Sequence, residues 1–279
     1  MSESPDHPQS DLAPAGGGWH CSHLFYSFDR PALWSMPPGD RQAAADALIT
    51  ALDPAAEHAP IRLQTQIVSG HKADFGLMMM DPDPLKIDAV HQRLMSGAAG
   101  PVLKPGYSFV SVTEISEYVP SVESYAARVA AEGDAPGSPA YEAKVKAYAG
   151  RLEGMNRQRL TPEIPPYKSC CFYPMNKKRV TGENWFTLPK SLRNSLMGEH
   201  ARSGMAFAGR VSQLITVGIG LDDWEWGVTL WGNNPEYLKD IVYQMRFDEA
   251  SARYAEFGPF LVGYISSAEQ IASHCNLRS

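Results

Sequence analysis

Apolar and polar positions form two similar series of segments along the chain. In the first series the pattern predicts strands at residues 19–28, 61–69, 75–80 and 107–119, and helices at residues 39–52 and 84–95. Strict alternation is typical of half-buried strands, whereas apolar residues three and four positions apart are typical of helices. The predicted order is therefore strand, helix, strand, strand, helix, strand.

The second series repeats this order. It predicts strands at residues 167–174, 211–219, 224–231 and 260–265, and helices at residues 189–208 and 234–254. Two copies of this βαββαβ unit predict an α+β fold made of two ferredoxin-like repeats. We expect their sheets to pack face to face or to close into a barrel, which would make the subunit a dimeric α+β barrel.

Composition changes before and between the two series. Residues 1–18 are rich in Ser, Pro and Gly and lack the basic start and apolar stretch of a secretory signal, so they predict a disordered tail. The N-terminal ferredoxin-like half then covers residues 19–119, and the C-terminal half covers residues 167–279. Residues 120–166 form a connecting segment, which contains a turn-rich break, EGDAPGSP, and a helical stretch at residues 141–157.

The overall composition excludes some classes of function. The chain has 279 residues, of which 44% are hydrophobic and 20% are charged, as in ordinary soluble globular proteins. A net charge of -6 argues against a general nucleic-acid binder. No apolar run approaches the roughly 20 residues that a membrane span needs. The four cysteines show no CxxC spacing, which favours reduced thiols in a cytoplasmic protein.

Candidate chemistry is concentrated between residues 171 and 251. His200 lies on the predicted helix at 189–208, where it is either an ordinary surface or core residue or a ligand of haem iron. No HExxH motif is present, so the sequence does not indicate a zinc site. Tyr173 ends a predicted strand. It is either a half-buried strand aromatic or a redox-active side chain that faces a pocket.

Other side chains in or near this window would suit a porphyrin pocket. Lys177 and Arg159 lie either in solvated loops or at a site that binds carboxylates. Gln213 is either a solvent-facing strand residue or a neutral hydrogen-bond donor above an iron. Trp185 and Met175 are either core residues or side chains that pack against a porphyrin.

The order of these motifs resembles the chlorite dismutase-like haem protein family and, within it, the coproheme decarboxylases. The resemblance rests on YPMNKKR, NWFTLP, the histidine at 200, GRVSQ, GLDDWEW and YQMRFDEAS. It covers about residues 167–260 in motif and extends back to about residue 19 in fold pattern. It implies oxidation of two propionates of coproheme to vinyl groups by hydrogen peroxide through a tyrosyl radical, giving haem b. Iron coproporphyrin III would be both the substrate and the redox centre.

The resemblance also implies a role for each candidate residue. His200 would be the proximal iron ligand, and Tyr173 the tyrosine that forms the radical. Lys177 would hold a propionate and assist proton transfer, and Gln213 would lie on the distal side. Further contacts with the porphyrin or its propionates are implied for Arg159, Met175, Trp185 and Ser251. For the carboxylate that supports His200, Glu249 is the first candidate and Asp248 the second.

Gln213 separates two activities of the family. Chlorite decomposition there depends on a distal arginine, and a neutral glutamine disfavours that reaction. Chlorite breakdown and non-catalytic haem binding stay open as alternatives. The resemblance further implies a homopentamer and a contact with a ferrochelatase.

Overall fold

The computed structural model of the chain describes residues 11–278. Most of the tail predicted at residues 1–18 lies outside the described residues, and residues 11–18 form turns. The strands are β1 (His20–Phe28), β2 (Arg62–Val68), β3 (Phe75–Asp81), β4 (Leu103–Val112), β5 (Ser169–Lys177), β6 (Arg179–Val180), β7 (Glu183–Asn184), β8 (Val211–Val217), β9 (Trp226–Gly232), β10 (Ala255–Phe257) and β11 (Leu261–Ile265).

Nine α-helices lie among the described residues. The α-helices are α1 (Arg30–Ser35), α2 (Pro38–Ala51), α3 (Pro84–Ser96), α4 (Val122–Ala131), α5 (Pro139–Leu160), α6 (Lys190–Met205), α7 (Pro235–Met245), α8 (Glu249–Ala252) and α9 (Ala268–His274). Single 3₁₀ turns lie at Gly100–Val102 and Trp185–Thr187. Among the described residues, no helix is long and apolar enough to cross a membrane.

Eight strands close into an antiparallel barrel. The N-terminal half has the strand order β2-β3-β1-β4, and the C-terminal half has the order β11-β5-β9-β8. Both orders are those of a ferredoxin-like βαββαβ unit, as the sequence predicts. The two sheets join edge to edge, where β11 pairs with β2 and β4 pairs with β8, so the alternative of closing into a barrel is confirmed.

The inside of the barrel is a buried apolar layer shared by both halves. Phe25, Phe109 and Phe172 come from β1, β4 and β5 and form one cluster of buried side chains. Since these strands lie around the ring, the side chains meet at its centre. Gly263 makes the seam between β11 and β2 possible, because a Cβ there would lie 2.5 Å from the Gln66 Oε1.

The outer faces of the two sheets carry different layers. On the N-terminal side, α2, α3 and α9 cover the sheet with a large apolar cluster that includes Tyr26, Leu48 and Phe75. On the C-terminal side, α7 packs Leu238 and Ile241 against the sheet, and this cluster is smaller. The rest of the C-terminal face borders a cavity.

Several element boundaries differ from the predicted ones. β4 begins and ends earlier than predicted, and the connecting segment holds two helices, α4 and α5, in place of one. The helix predicted at 234–254 ends at Met245 and is followed by the short helix α8. Pro174 does not end β5, which continues to Lys177, because the Pro174 carbonyl still accepts a bond from the Gly258 amide at 2.9 Å.

Candidate active site

One large cavity lies between the outer face of the C-terminal sheet, α6 and α5. Its volume is about 1630 Å³. Eight of the ten residues that the sequence singles out line it: Arg159, Tyr173, Met175, Lys177, Trp185, His200, Gln213 and Ser251. They come from α5, β5, a 3₁₀ turn, α6, β8 and α8, so only the folded chain brings them together.

His200 is held by a carboxylate at the cavity wall. Its Nδ1 lies 3.0 Å from the Asp248 Oδ2 and 3.3 Å from the Ser251 Oγ. Leu196, one helical turn earlier on α6, packs beside Ala250 and so points this face of α6 towards α8. A carboxylate on Nδ1 favours the tautomer that leaves Nε2 free to bind a metal.

Asp248 and not Glu249 supports His200, which corrects the first candidate named from the sequence. Glu249 is exposed and pairs with Arg253 at 3.3 Å. Asp248 also caps α8, since its Oδ1 accepts a bond from the Ser251 amide at 2.9 Å. Burial raises the pKa of Asp248, but the hydrogen bonds from His200 and Ser251 outweigh it, so the pKa lies below its usual value.

Tyr173 is buried at the cavity wall with its hydroxyl unpaired. It points to the outer face of β5, and its ring stacks on Phe260 at 4.5 Å and meets Phe257 edge-on at 5.8 Å. Within residues 11–278 no group hydrogen bonds to its hydroxyl. Burial raises the pKa of Tyr173, so the hydroxyl keeps its proton at neutral pH.

Lys177 is a buried cation at the end of β5. Its Nζ donates to the Ala250 carbonyl at 2.8 Å and lies 4.3 Å from the centre of the Trp185 ring. Its amide donates to Glu225 at 2.8 Å, which fixes the point where the side chain leaves the strand. Burial lowers the pKa of Lys177 to about 8, although the charges of Asp248 and Glu225 oppose this shift.

The other predicted residues differ in their exposure to the cavity. Gln213, on β8, is exposed and makes no hydrogen bond with another described residue through its side chain. Trp185 is buried between Lys177 and Tyr254. Met175 and Arg159 are half-buried. Both remain able to contact a bound molecule because they line the open part of the cavity.

Four further cations line the cavity, and the sequence pattern did not indicate them: Arg128, Arg151, Lys190 and Arg202. Together with Arg159 and Lys177 they make six basic side chains in the described lining. Three acids also line it: Glu114, Glu117 and Glu163. Of these, Glu117 pairs with Arg193 and Glu163 pairs with Arg62. The cavity is therefore positive although the chain carries a net charge of -6. Charges on helices that are distant in sequence give no signal of this kind.

The donor set fits an iron porphyrin that carries carboxylates. His200 offers one free imidazole nitrogen, which is the axial ligand that haem iron takes in many proteins. Lys177 and Arg159 offer partners for carboxylates, and Met175, Trp226 and Val228 offer apolar surface for a macrocycle. Within the described lining, no other feature conflicts with such a ligand.

Comparison with known proteins places this chain in a family. Residues 41–266 match the family model described as Chlorite dismutase. The chain belongs to the chlorite dismutase family. The coproheme decarboxylase of Staphylococcus carnosus (strain TM300) is 35% identical over 270 residues, which cover 94% of this chain and 97% of the relative. That of Oceanobacillus iheyensis is 33% identical, and the match covers 93% of this chain and 96% of the relative.

Solved structures of similar proteins have the same fold. A haem-binding protein from Thermus thermophilus superposes with a TM-score of 0.75 at 34% identity, covering 93% of this chain and 95% of that one. A variant of chlorite dismutase from Candidatus Nitrospira defluvii superposes with a TM-score of 0.70 at 16% identity, covering 94% and 96%. The second likeness concerns the fold alone. The fold and the family predicted from the sequence are both confirmed.

Proposed function

We propose that this protein is a hydrogen peroxide-dependent coproheme decarboxylase, which converts two propionates of coproheme into vinyl groups and yields haem b. One observation carries the proposal: a positive cavity contains a histidine with a free Nε2, an unpaired tyrosine hydroxyl and a buried lysine. Support comes from the relatives above, which are named for this activity. The chain matches them over nearly their whole length.

The balance of the reaction defines what the residues must do. Each propionate loses two electrons and carbon dioxide as its CH₂–CH₂–COO⁻ becomes CH=CH₂. One hydrogen peroxide takes up the two electrons and becomes two water molecules. One proton is consumed for each vinyl group formed. The site therefore has to bind carboxylates, accept a hydrogen atom and supply a proton.

His200 and Asp248 position the substrate in this proposal. Coproheme, when bound, supplies the iron at which peroxide is reduced. Nε2 of His200 would hold that iron, and the hydrogen bond between Nδ1 and Asp248 would keep the imidazole in the orientation that this needs.

Tyr173 accepts the hydrogen atom. Its hydroxyl keeps its proton at neutral pH, so oxidation removes an electron and a proton together and leaves a tyrosyl radical. The radical takes a hydrogen atom from the β-carbon of a propionate, which restores the hydroxyl. The second electron of that propionate goes to the remaining oxidising equivalent of the peroxide as carbon dioxide leaves. Stacking on Phe260 keeps the ring in place during both steps.

Lys177 binds a propionate and supplies the proton that each conversion consumes. With a pKa of about 8 it is protonated in most molecules at pH 7, yet it gives up its proton more readily than an exposed lysine. Arg159, Ser251, Trp185 and Met175 complete the surroundings of the porphyrin.

Gln213 favours decarboxylation over chlorite breakdown. It is a neutral side chain on β8, and β8 contributes no arginine to the cavity. A permanent positive charge above the iron, which chlorite chemistry in the family uses, is therefore missing from this strand.

Mass spectrometry of the bound porphyrin tests the proposal. The protein is loaded with coproheme and titrated with hydrogen peroxide. We expect two successive losses, each of one carboxyl group as carbon dioxide with two hydrogens. Oxygen release from chlorite at a high rate would instead support the chlorite dismutase alternative. Tight binding without a change in mass would leave only haem binding.

Three predictions stay predictions: the homopentamer and the contact with a ferrochelatase, which the resemblance implies, and the cytoplasmic location, which the cysteine spacing favours. The first can be measured by light scattering of the purified protein, and the second by binding to a ferrochelatase that carries coproheme.

A further inference from the structure

The cavity is larger than ordinary pockets for small molecules. Its volume is about 1630 Å³, whereas pockets for small molecules generally measure about 300–1,000 Å³. On α5 the lining runs from Gly150 to Arg159, a distance of about 14 Å at the rise of an α-helix. The cavity therefore extends well beyond the surroundings of His200 and Tyr173.

Successive side-chain contacts along the wall lead from Lys177 to the outer end of the cavity. From Lys177 the wall passes to the Trp185 ring at 4.3 Å, and from Trp185 to the Tyr118 ring at 6.5 Å. Two residues further on, the Pro120 carbonyl accepts a bond from the Tyr148 hydroxyl of α5 at 2.6 Å. We call the region beyond Tyr118 the vestibule. It is lined by Ser121, Ser124, Arg128, Arg151 and Gly154.

The vestibule is formed by a pair of helices that are packed mainly against each other. The Tyr125 ring of α4 stacks on the Tyr148 ring of α5 at 4.0 Å. The one buried residue of α4 is Val129, and that of α5 is Tyr148. The remaining side chains of both helices are at least partly open to solvent, including those that line the cavity.

The two arginines of the vestibule are available to an anion. Arg151 donates through Nε to the Ala147 carbonyl of its own helix, which leaves its other donors unused. Arg128 lies over the Tyr125 ring at 4.9 Å and pairs with the exposed Glu132 at 3.6 Å. An exposed pair of this kind is weak, so a ligand carboxylate can displace it.

We propose that the vestibule binds carboxylates of the incoming tetracarboxylate porphyrin before the porphyrin reaches His200. This inference rests on the proposed function and adds a first binding step to it. A substrate with four carboxylates is drawn to the two arginines by long-range attraction, which raises the association rate in solution. The product has two carboxylates fewer, so the vestibule holds it less strongly.

Stopped-flow mixing with coproheme in the absence of peroxide tests this step. The double variant Arg128→Gln/Arg151→Gln removes both charges from the vestibule and should lower the association rate constant about tenfold at low salt. The rate constant of the variant should also depend less on salt. Lys146→Gln is the matched control, because Lys146 is exposed on α5 and does not line the cavity.

The outcomes separate this inference from the proposed function. The absorption spectrum of fully bound coproheme and the mass loss with peroxide should match the unmodified protein, since neither arginine contacts His200. An unchanged association rate, or an equal decrease in Lys146→Gln, would overturn the vestibule. Normal association without any decarboxylation in the unmodified protein would overturn the proposed function and leave the vestibule intact.

A comparison of ligands gives a second test. With haem b, which has two carboxylates, the double variant should lose clearly less of its association rate than with coproheme. An equal loss with both ligands would show that the arginines do not sense the carboxylates that the reaction removes, and would contradict the vestibule.

Discussion

The two halves of the molecule have the same strand order but opposite uses of the outer sheet face. In the N-terminal half that face is filled by α2, α3 and α9, and Leu48 and Phe75 are completely buried there. In the C-terminal half the same face borders the cavity, and His200 and Tyr173 line it. One half packs its outer sheet face closely, and the other leaves a cavity beside that face.

The helices explain this difference. α2 buries Ala44, Ala45, Leu48 and Ala51 against its sheet. α6 has two more residues than α2, yet Leu196 is its one buried residue. The sequence of α6, KSLRNSLMGEHARSGM, offers too few apolar side chains for a close contact with the sheet. A polar helix therefore stays away from the sheet and leaves room for a ligand.

A tyrosine and a histidine illustrate the same contrast. In the N-terminal half, the Tyr26 hydroxyl on β1 lies 2.8 Å from the His91 Nδ1 on α3, so each satisfies the other. In the C-terminal half, Tyr173 on β5 and His200 on α6 make no hydrogen bond with each other. The cavity lies where such a contact would otherwise form, and both groups remain available for chemistry.

The largest effect should come from removing the Tyr173 hydroxyl, and Tyr26 is the matching tyrosine of the other half. Tyr173→Phe should lower the rate of vinyl formation at least about thousandfold, which corresponds to ~4 kcal/mol, while coproheme still binds. Tyr26→Phe should leave the rate unchanged and cost about 1 kcal/mol of unfolding free energy. Mass spectrometry and urea unfolding measure the two effects. A Tyr173→Phe protein with a normal rate would end the radical role.

Shortening one leucine in each half should compare the packing of the two outer layers. Leu48→Ala removes a fully buried side chain from the large cluster and should lower the unfolding free energy by about 3 kcal/mol. Leu196→Ala affects a much smaller cluster and should cost less than about 2 kcal/mol. Equal losses in urea unfolding would contradict the view that the C-terminal layer is loosely packed.

The carboxylate behind His200 should matter more than its neighbour in sequence. Asp248→Asn keeps a good helix cap but removes the charge on Nδ1, so we expect coproheme affinity to fall about 10- to 100-fold. Glu249→Gln should bind as the unmodified protein does, because Glu249 pairs with Arg253 at the surface. Absorption titration with coproheme measures both. The reverse result would restore Glu249 as the partner of His200.

A smaller effect should appear as a pH dependence in the C-terminal half. As the pH rises through about 8, Lys177 loses its proton and with it the attraction for a propionate. Between pH 7 and pH 9 the affinity for coproheme should fall by up to about tenfold, since binding requires the charged form. Lys177→Arg stays charged over this range and should show no such decline. A parallel decline in both proteins would assign the pH dependence to another group.

Much of the fold could be predicted from local patterns. Alternation in β1 and β3 and the helical period in α2 and α3 placed these elements within a few residues of their observed positions. Boundaries were wrong where a local signal competed with tertiary contacts. Pro174 was expected to end its strand. β5 nevertheless continues to Lys177, because it stays paired with β9 at Pro174 and Met175.

The candidate site was less predictable than its individual residues. His200, Tyr173, Lys177 and Gln213 were found through the order of short motifs. The first candidate for the carboxylate partner of His200, Glu249, was wrong. The sequence does not distinguish the adjacent carboxylates at 248 and 249, whereas the folded chain directs Asp248 inward and Glu249 to the surface. Arg128 and Arg151 gave no signal, since α4 and α5 are distant from the motifs in sequence.

The sequence by itself determined the repeat of two βαββαβ units, the family and most of the candidate site residues. These depend on local periodicity and on motif order, which a linear chain carries directly. The tertiary structure alone decided the closure of the barrel, the burial that lowers the pKa of Lys177 and the choice of Asp248 beside His200. It also decided that the cavity is positive. Such properties depend on distances between residues that are far apart along the chain, and only packing sets those distances.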